Sequence, residues 1–132
     1  MRVLLADDSS LILDMLHLML RKFKGIDIVA SLTNGTDTLD ALRLLKPDLA
    51  IIDNKMPGIN GIEVVKLFRQ ENTSSKFIIF SFYANDAIRQ LALESGSDYF
   101  FSKGDEFEKV QEVVAELLAI ELRQTANQMI EF

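Results

Sequence analysis

Pro47-Asp48-Leu49-Ala50-Ile51-Ile52-Asp53 sets four consecutive apolar residues between a proline and a carboxylate. A run this short, with no polar alternation, suits a strand buried on both faces. Similar runs stand at Val3-Leu4-Leu5-Ala6, Ile26 to Ser31, Phe77 to Phe80 and Tyr99-Phe100-Phe101. Most are four to six residues long, rich in β-branched or aromatic types, with Gly, Asp, Asn or Pro at their bounds. The segments between them carry the helical period. Leu39, Leu42 and Leu45 share a face, as do Ile62, Val65 and Phe68, and Ile88, Leu91 and Leu93 lie close to another. Asn60 is placed to cap the third helix and Gly96 to close the fourth. Asp105 with Glu108 reads as a capping box for the last helix. Strand and helix alternate five times, which predicts an α/β fold, a doubly wound five-stranded parallel sheet, (βα)5.

Composition agrees and narrows the chemistry. The chain has 132 residues, 48% hydrophobic and 26% charged, which fits one globular domain with a single core. It has no Cys and one His, excluding thiolate chemistry, Cys-ligated metals and multi-histidine sites. Fourteen basic against 20 acidic residues give a net charge of −6. That is the wrong sign for gripping nucleic-acid phosphates, so no direct nucleic-acid partner is expected. Four apolar residues before Asp7 are too few for a signal-peptide core, and no apolar run is long enough to span a bilayer. The expectation is a cytoplasmic protein with no membrane partner.

In open α/β sheets the chemistry sits beyond the carboxyl ends of the strands. There the chain places Asp7 and Asp8 after the first run, Asp53 after the third, Ser81 after the fourth and Lys103 after the fifth. Two carboxylates about 5 Å apart repel by about 3 kcal/mol at an effective dielectric of about 20. A set of three therefore calls for a cation. An all-oxygen cluster suits Mg²⁺, and Lys103 adds a second, mobile positive charge. Carboxylate, cation, ammonium and hydroxyl together suit phosphoryl transfer to a carboxylate nucleophile. Asp53, in the middle run and ahead of the Met56-Pro57-Gly58 turn, is the best nucleophile, with Asp7 and Asp8 holding the metal.

The order of these elements resembles the response-regulator receiver domain of two-component signalling, the chemotaxis-regulator-like fold. The resemblance is carried by Val3-Leu4-Leu5-Ala6-Asp7-Asp8-Ser9, Pro47 to Asp53, Met56-Pro57-Gly58-Ile59-Asn60-Gly61, Ile78-Ile79-Phe80-Ser81, Gly96 to Phe101, and Lys103. It implies the flavodoxin-like strand order 2-1-3-4-5. It implies that Asp53 accepts a phosphoryl group from the phosphohistidine of a sensor histidine kinase or phosphotransfer protein. Mg²⁺ would bind Asp8 and Asp53 directly and Asp7 mainly through water, with the Lys55 backbone carbonyl as a further ligand. Lys103 would pair with the acceptor and then with the phosphoryl group. Ser81 would swing to hydrogen-bond that group, and Phe100 would take the aromatic switch position. Such a chain is a self-phosphorylating switch with at most slow autodephosphorylation rather than a metabolic enzyme. It would control a partner or output domain.

The chain also departs from that pattern. Lys103 is followed by Gly104 rather than the usual Pro, so the loop before the last helix is expected to take another shape. Phe82 and Tyr83 follow the switch hydroxyl where a small residue is usual, and their bulk is expected to govern access to the phosphoryl group. Three other readings compete. A pseudo-receiver interaction module usually lacks one of the acidic residues, and all are present. An aspartyl-nucleophile phosphohydrolase needs a second carboxylate two positions after the nucleophile, where Lys55 stands. A flavodoxin-like flavin binder would have its phosphate repelled by Asp7 and Asp8.

The receiver is expected over residues 1–122, with the last helix from Glu106 to about Leu122. Residues 123–132 form a tail or a helix extension. Phe107, Val110, Val114, Leu117 and Glu121 define its core stripe, widened by Val113, Leu118, Ile120 and Leu122. Met129, Ile130 and Phe132 add apolar surface. The excess suggests either a broad buried face or a homodimer built on the fourth and fifth helices. His17, near Leu16, Leu18 and Met19, reads as a surface or boundary residue.

Overall fold

The structure, a computed structural model, describes residues 1–130. Its elements alternate along the chain: β1 (Arg2–Ala6), α1 (Ser10–Leu20), β2 (Asp27–Leu32), α2 (Gly35–Leu45), β3 (Leu49–Ile52), α3 (Gly61–Arg69), β4 (Lys76–Ser81), α4 (Asp86–Glu94), β5 (Tyr99–Ser102) and α5 (Phe107–Ile130). The five strands form one parallel sheet in the order β2-β1-β3-β4-β5, the topology the resemblance implies.

Successive residues of a strand point to opposite faces, and the sheet uses both. Leu4, Ala6, Ala50, Ile52, Phe77 and Ile79 pack with Leu39 and Leu42 of α2, Val65 and Phe68 of α3 and Ala92 of α4. Val3, Leu5, Leu49, Ile51, Ile78 and Phe80 pack with Leu16 and Leu20 of α1 and Val110 and Val114 of α5. This two-sided burial is why the strands read as unbroken apolar runs. Each of these core side chains is almost fully buried, so truncating Phe68 to Ala should cost about 3–5 kcal/mol.

The predicted caps at Asn60 and Gly96 are present. Asn60 accepts from the Glu63 N–H, and Gly96, at φ +112°, follows the Ser95 C-cap of α4. The Asp105–Glu108 box does not form. α5 starts two residues after Asp105, and Glu106 closes the preceding loop by accepting from the Ser102 N–H at 3.0 Å. The α4 face also differs. Leu91 and Leu93 are exposed by 53% and 46%, while half-buried Ile88 and buried Ala92, one turn apart, look inward. Leu91 and Leu93 flank that line by about 100° each, too far for either to reach the sheet.

The last helix runs on past Leu122 to Ile130. Its buried residues are Val110, Val113, Val114 and Leu118; Phe107, Leu117 and Glu121 are half-buried. Ile120 and Leu122 face solvent, as do Met129 and Ile130. Phe132 lies outside the described residues. Among the described residues, no helix is long and apolar enough to cross a membrane.

Candidate functional site

Parallel register brings together the residues that the sequence places at the strand ends. Ala6 pairs with Ile52 across β1 and β3, so Asp7 and Asp53 leave the sheet side by side, and the Asp53 N–H donates to the Ala6 carbonyl at 2.8 Å. Ser81 pairs with Ser102 across β4 and β5, and the Lys103 N–H donates to the Ser81 carbonyl at 2.9 Å. Three strand ends thus deliver two carboxylates and an ammonium to one point.

The Lys103 side chain, 3% exposed, lies between Asp7 and Asp53, its Nζ 2.5 Å from Asp7 Oδ2 and 3.2 Å from Asp53 Oδ2. Asp7 Oδ1 accepts from the Ser9 N–H at 2.9 Å. Ser9 in turn caps α1 by accepting from the Ile12 N–H. The same short stretch therefore begins a helix and aims a carboxylate. Asp8 is exposed, and one carboxylate oxygen each from Asp7, Asp8 and Asp53 lies within 4.8 Å of the others. Three carboxylates against the Lys103 ammonium leave this cluster two charges short of neutral. Burial pushes the Asp53 carboxyl above the usual carboxylate range; Lys103 opposes this, while Asp7 and Asp8 add to it. The donor set is all oxygen, crowded and under-neutralised, which fits a hard divalent cation.

The loop beyond Asp53 is pinned at its far end. The Gly61 N–H donates to the Asn54 carbonyl at 2.7 Å, and the Ile62 N–H donates to Asn54 Oδ1 at 3.0 Å. A Cβ on Gly61 would sit 2.2 Å from the Asp53 carbonyl oxygen, so only glycine permits this approach. Asn54, the residue after Asp53 and seven before the start of α3, ties the loop to that helix through both its carbonyl and its side chain, a tie that composition and spacing do not reveal.

A cavity of about 240 Å³ opens over the cluster, lined by Asp8, Ser9, Asp53, Lys55, Phe82, Tyr83 and Lys103. Phe82 and Tyr83 are 64% and 55% exposed and form its rim. The Lys103 Nζ lies 5.3 Å from the Phe82 ring centroid. The Lys55 Nζ lies 4.6 Å from the Tyr83 centroid and donates to its hydroxyl at 3.3 Å. Both are cation–π contacts. Ser81 is fully buried below this rim, its Oγ accepting from the Tyr83 N–H at 3.2 Å. Phe100 is 3% exposed and turned inward, with the Arg89 guanidinium 5.0 Å from its ring centroid. His17 stands apart on α1, its Nε2 2.8 Å from Ser31 Oγ.

Comparison with known proteins fits this geometry. The chain is 27% identical over 118 residues to the response regulator GacA of Pseudomonas aeruginosa, covering 89% of this chain and 55% of that protein. It is 34% identical over 102 residues to the DNA-binding response regulator MtrA of Mycobacterium tuberculosis, covering 77% and 43%. The chain thus spans about half the length of the curated relatives it matches. Among solved structures, the response regulator domain of Thermotoga maritima CheB superposes with a TM-score of 0.78 at 28% identity, covering 96% of both chains. The isolated REC domain of RcsB from Salmonella enterica superposes at 0.82 with 23% identity, over 90% of this chain and 88% of that one, which speaks to the fold alone. The response regulator receiver domain profile matches residues 3–115, and the chain belongs to that family, the receiver domains of two-component response regulators.

Proposed function

We propose that Asp53 is the phosphoacceptor of a two-component switch. The supporting observation is its position: a nine-tenths-buried carboxylate, touching Lys103, flanked by Asp7 and Asp8, at the floor of an open cavity. A carboxylate oxygen of Asp53 attacks the phosphorus of a phosphohistidine. The P–O bond forms as the P–N bond breaks, and the leaving imidazole takes up a proton. Lys103 donates to the phosphoryl oxygens as charge gathers on them. Asp8 and Asp53, with Asp7 and the Lys55 backbone carbonyl, would hold Mg²⁺, which would supply further charge neutralisation. Asp8 and Asp53 line the cavity, whereas Asp7 is sequestered by Lys103 and the Ser9 N–H, which supports this division of labour.

On phosphorylation, Ser81 Oγ leaves the Tyr83 N–H for a phosphoryl oxygen and the loop at the base of α4 moves with it. Phe100 packs behind that loop as the aromatic switch residue. The local charge change thereby shifts the population between two packings. Phe82 and Tyr83 restrict water's access to the acyl phosphate. The phosphohydrolase alternative lacks its second carboxylate, since the side chain two positions after Asp53 is an ammonium committed to Tyr83.

The donor is a sensor histidine kinase or a phosphotransfer protein, and the protein acts in the cytoplasm. The receiver comprises residues 1–122, with 123–130 as a helix extension. The exposed Leu91 and Leu93 on α4, with Ile120 and Leu122 on α5, are the surface for a homodimer or an output partner. The test is intact mass after incubation with a small acyl-phosphate donor, with and without Mg²⁺. Gain of one phosphoryl group only with Mg²⁺ supports the reading; no gain in either case leaves a binding module.

A further inference from the structure

Gly104 follows Lys103 directly, and glycine leaves the backbone there the greatest freedom. The Lys103 ammonium nonetheless has to stay between two carboxylates on a flexible four-carbon stem. The backbone around it is anchored residue by residue. The Ser102 N–H donates to Glu106 Oε1 at 3.0 Å, the Lys103 N–H to the Ser81 carbonyl at 2.9 Å, and the Gly104 N–H to Ser102 Oγ at 3.2 Å. The Glu106 N–H returns to the Ser102 carbonyl at 2.9 Å, so residues 102 and 106 close a ring around Lys103.

Glu106 is itself held in place. Arg89 of α4 reaches it with Nη2 at 3.1 Å, and Lys109 with Nζ at 3.1 Å. Arg89 also donates from Nη1 to the Phe100 carbonyl at 2.8 Å and lays its guanidinium over the Phe100 ring. One forked side chain thus joins α4, β5 and the loop before α5, a geometry that a lysine point charge does not reproduce. The hydrogen bond from Ser102 and the two cations also hold the Glu106 carboxyl below its ordinary range, so it stays ionised for Arg89.

We infer that Glu106 and Arg89 are positioning residues for Lys103, a clamp that replaces backbone rigidity in the Lys103-Gly104 loop. The inference rests on the role proposed for Lys103 in phosphoryl transfer, yet the clamp itself is measurable without that reaction. Because Arg89 belongs to α4, anything that moves α4 changes how Lys103 is held, and the coupling runs equally in reverse.

The test uses the full chain and two readouts. The first is the hydrogen-exchange rate of the Lys103 ammonium by nitrogen-detected NMR, which needs no phosphoryl donor. The second is the rate of Asp53 labelling by an acyl phosphate with Mg²⁺. Glu106→Ala and Arg89→Ala should speed ammonium exchange about tenfold and slow labelling several-fold at a temperature where both remain folded. Glu106→Gln, which keeps an acceptor for the Ser102 N–H, should recover most of both; Arg89→Lys should recover little. Lower melting temperatures with exchange unchanged within twofold would assign the pair a structural role only and overturn the inference. If the wild-type protein takes no label, the phosphoacceptor reading fails, and the exchange readout alone decides whether the clamp exists.

Discussion

Lys103 Nζ sits closer to Asp7 Oδ2, at 2.5 Å, than to Asp53 Oδ2, at 3.2 Å. The lysine therefore sits nearer the buried Asp7 while still touching Asp53. In the proposed reading, that asymmetry would leave Asp53 available as nucleophile with the ammonium within reach of an incoming phosphoryl group.

Removing this ammonium leaves two buried like charges uncompensated. Lys103→Met should destabilise the protein by about 3 kcal/mol without divalent cation, the usual scale for breaking a buried pair. Added Mg²⁺ should recover part of that loss, because it restores positive charge to the same cluster. Thermal melts with and without Mg²⁺ check this. Acyl-phosphate labelling of the variant should also slow by about 10²-fold.

Phe82 is 64% exposed yet lies against the Lys103 ammonium at the cavity mouth. Phe82→Ala should widen the cavity mouth above Asp53 and shorten the lifetime of phospho-Asp53 several-fold. The measurement is decay of the phosphorylated mass after donor removal. An equal or longer lifetime in the variant would show that Phe82 does not shield the acyl phosphate.

Gly61 packs its α-carbon against the Asp53 carbonyl. Gly61→Ala places a Cβ 2.2 Å from that oxygen and 3.0 Å from the Asn54 Cα. The loop has to shift, at a cost of about 1–3 kcal/mol on the scale of overpacked sites. Denaturant unfolding checks the stability. The labelling rate of the folded variant should fall as well, because the displaced backbone is that of Asp53, the proposed acceptor.

Glu106 gives a pH signature. Its folded-state pKa lies below the ordinary value of 4.5, chiefly because it accepts from the Ser102 N–H, with Lys109 and Arg89 adding to the effect. A carboxyl lowered on folding adds stability that is fully present above the unfolded value. That stability is lost as pH falls below about 4.5 and through the folded value. Glu106→Gln should flatten the stability profile over this acid window, read from chemical denaturation between about pH 3 and pH 6. A profile parallel to wild type would contradict the assignment.

Much of this architecture is legible along the chain, for a physical reason. Strands covered on both faces must be apolar throughout, so Leu49–Ile52 and its counterparts stand out, and the polar residue ending each run marks the sheet edge where side chains meet. Asp7 and Asp53 meet because parallel register carries the adjacent ends of β1 and β3 to one place, and Lys103 reaches them from β5, past the end of β4, on its long side chain. Arg89 and Glu106 were not legible: they lie 17 residues apart on different elements, and only the packing of α4 against β5 joins them. Asp105 and Glu108 satisfy the local pattern of a capping box, but the fold uses Glu106 instead, which accepts from the Ser102 N–H across the loop. Leu91 and Leu93 look like core in composition, but the short α4 turns only Ile88 and Ala92 inward.

The central claim is that Asp53 is the acceptor. Wild-type protein and Asp53→Ala, each incubated with Mg²⁺ and a small acyl-phosphate donor, are compared by intact mass at the same time points. The account predicts one added phosphoryl group on the wild type and none on Asp53→Ala. Equal labelling of both proteins would place the acceptor elsewhere and contradict it.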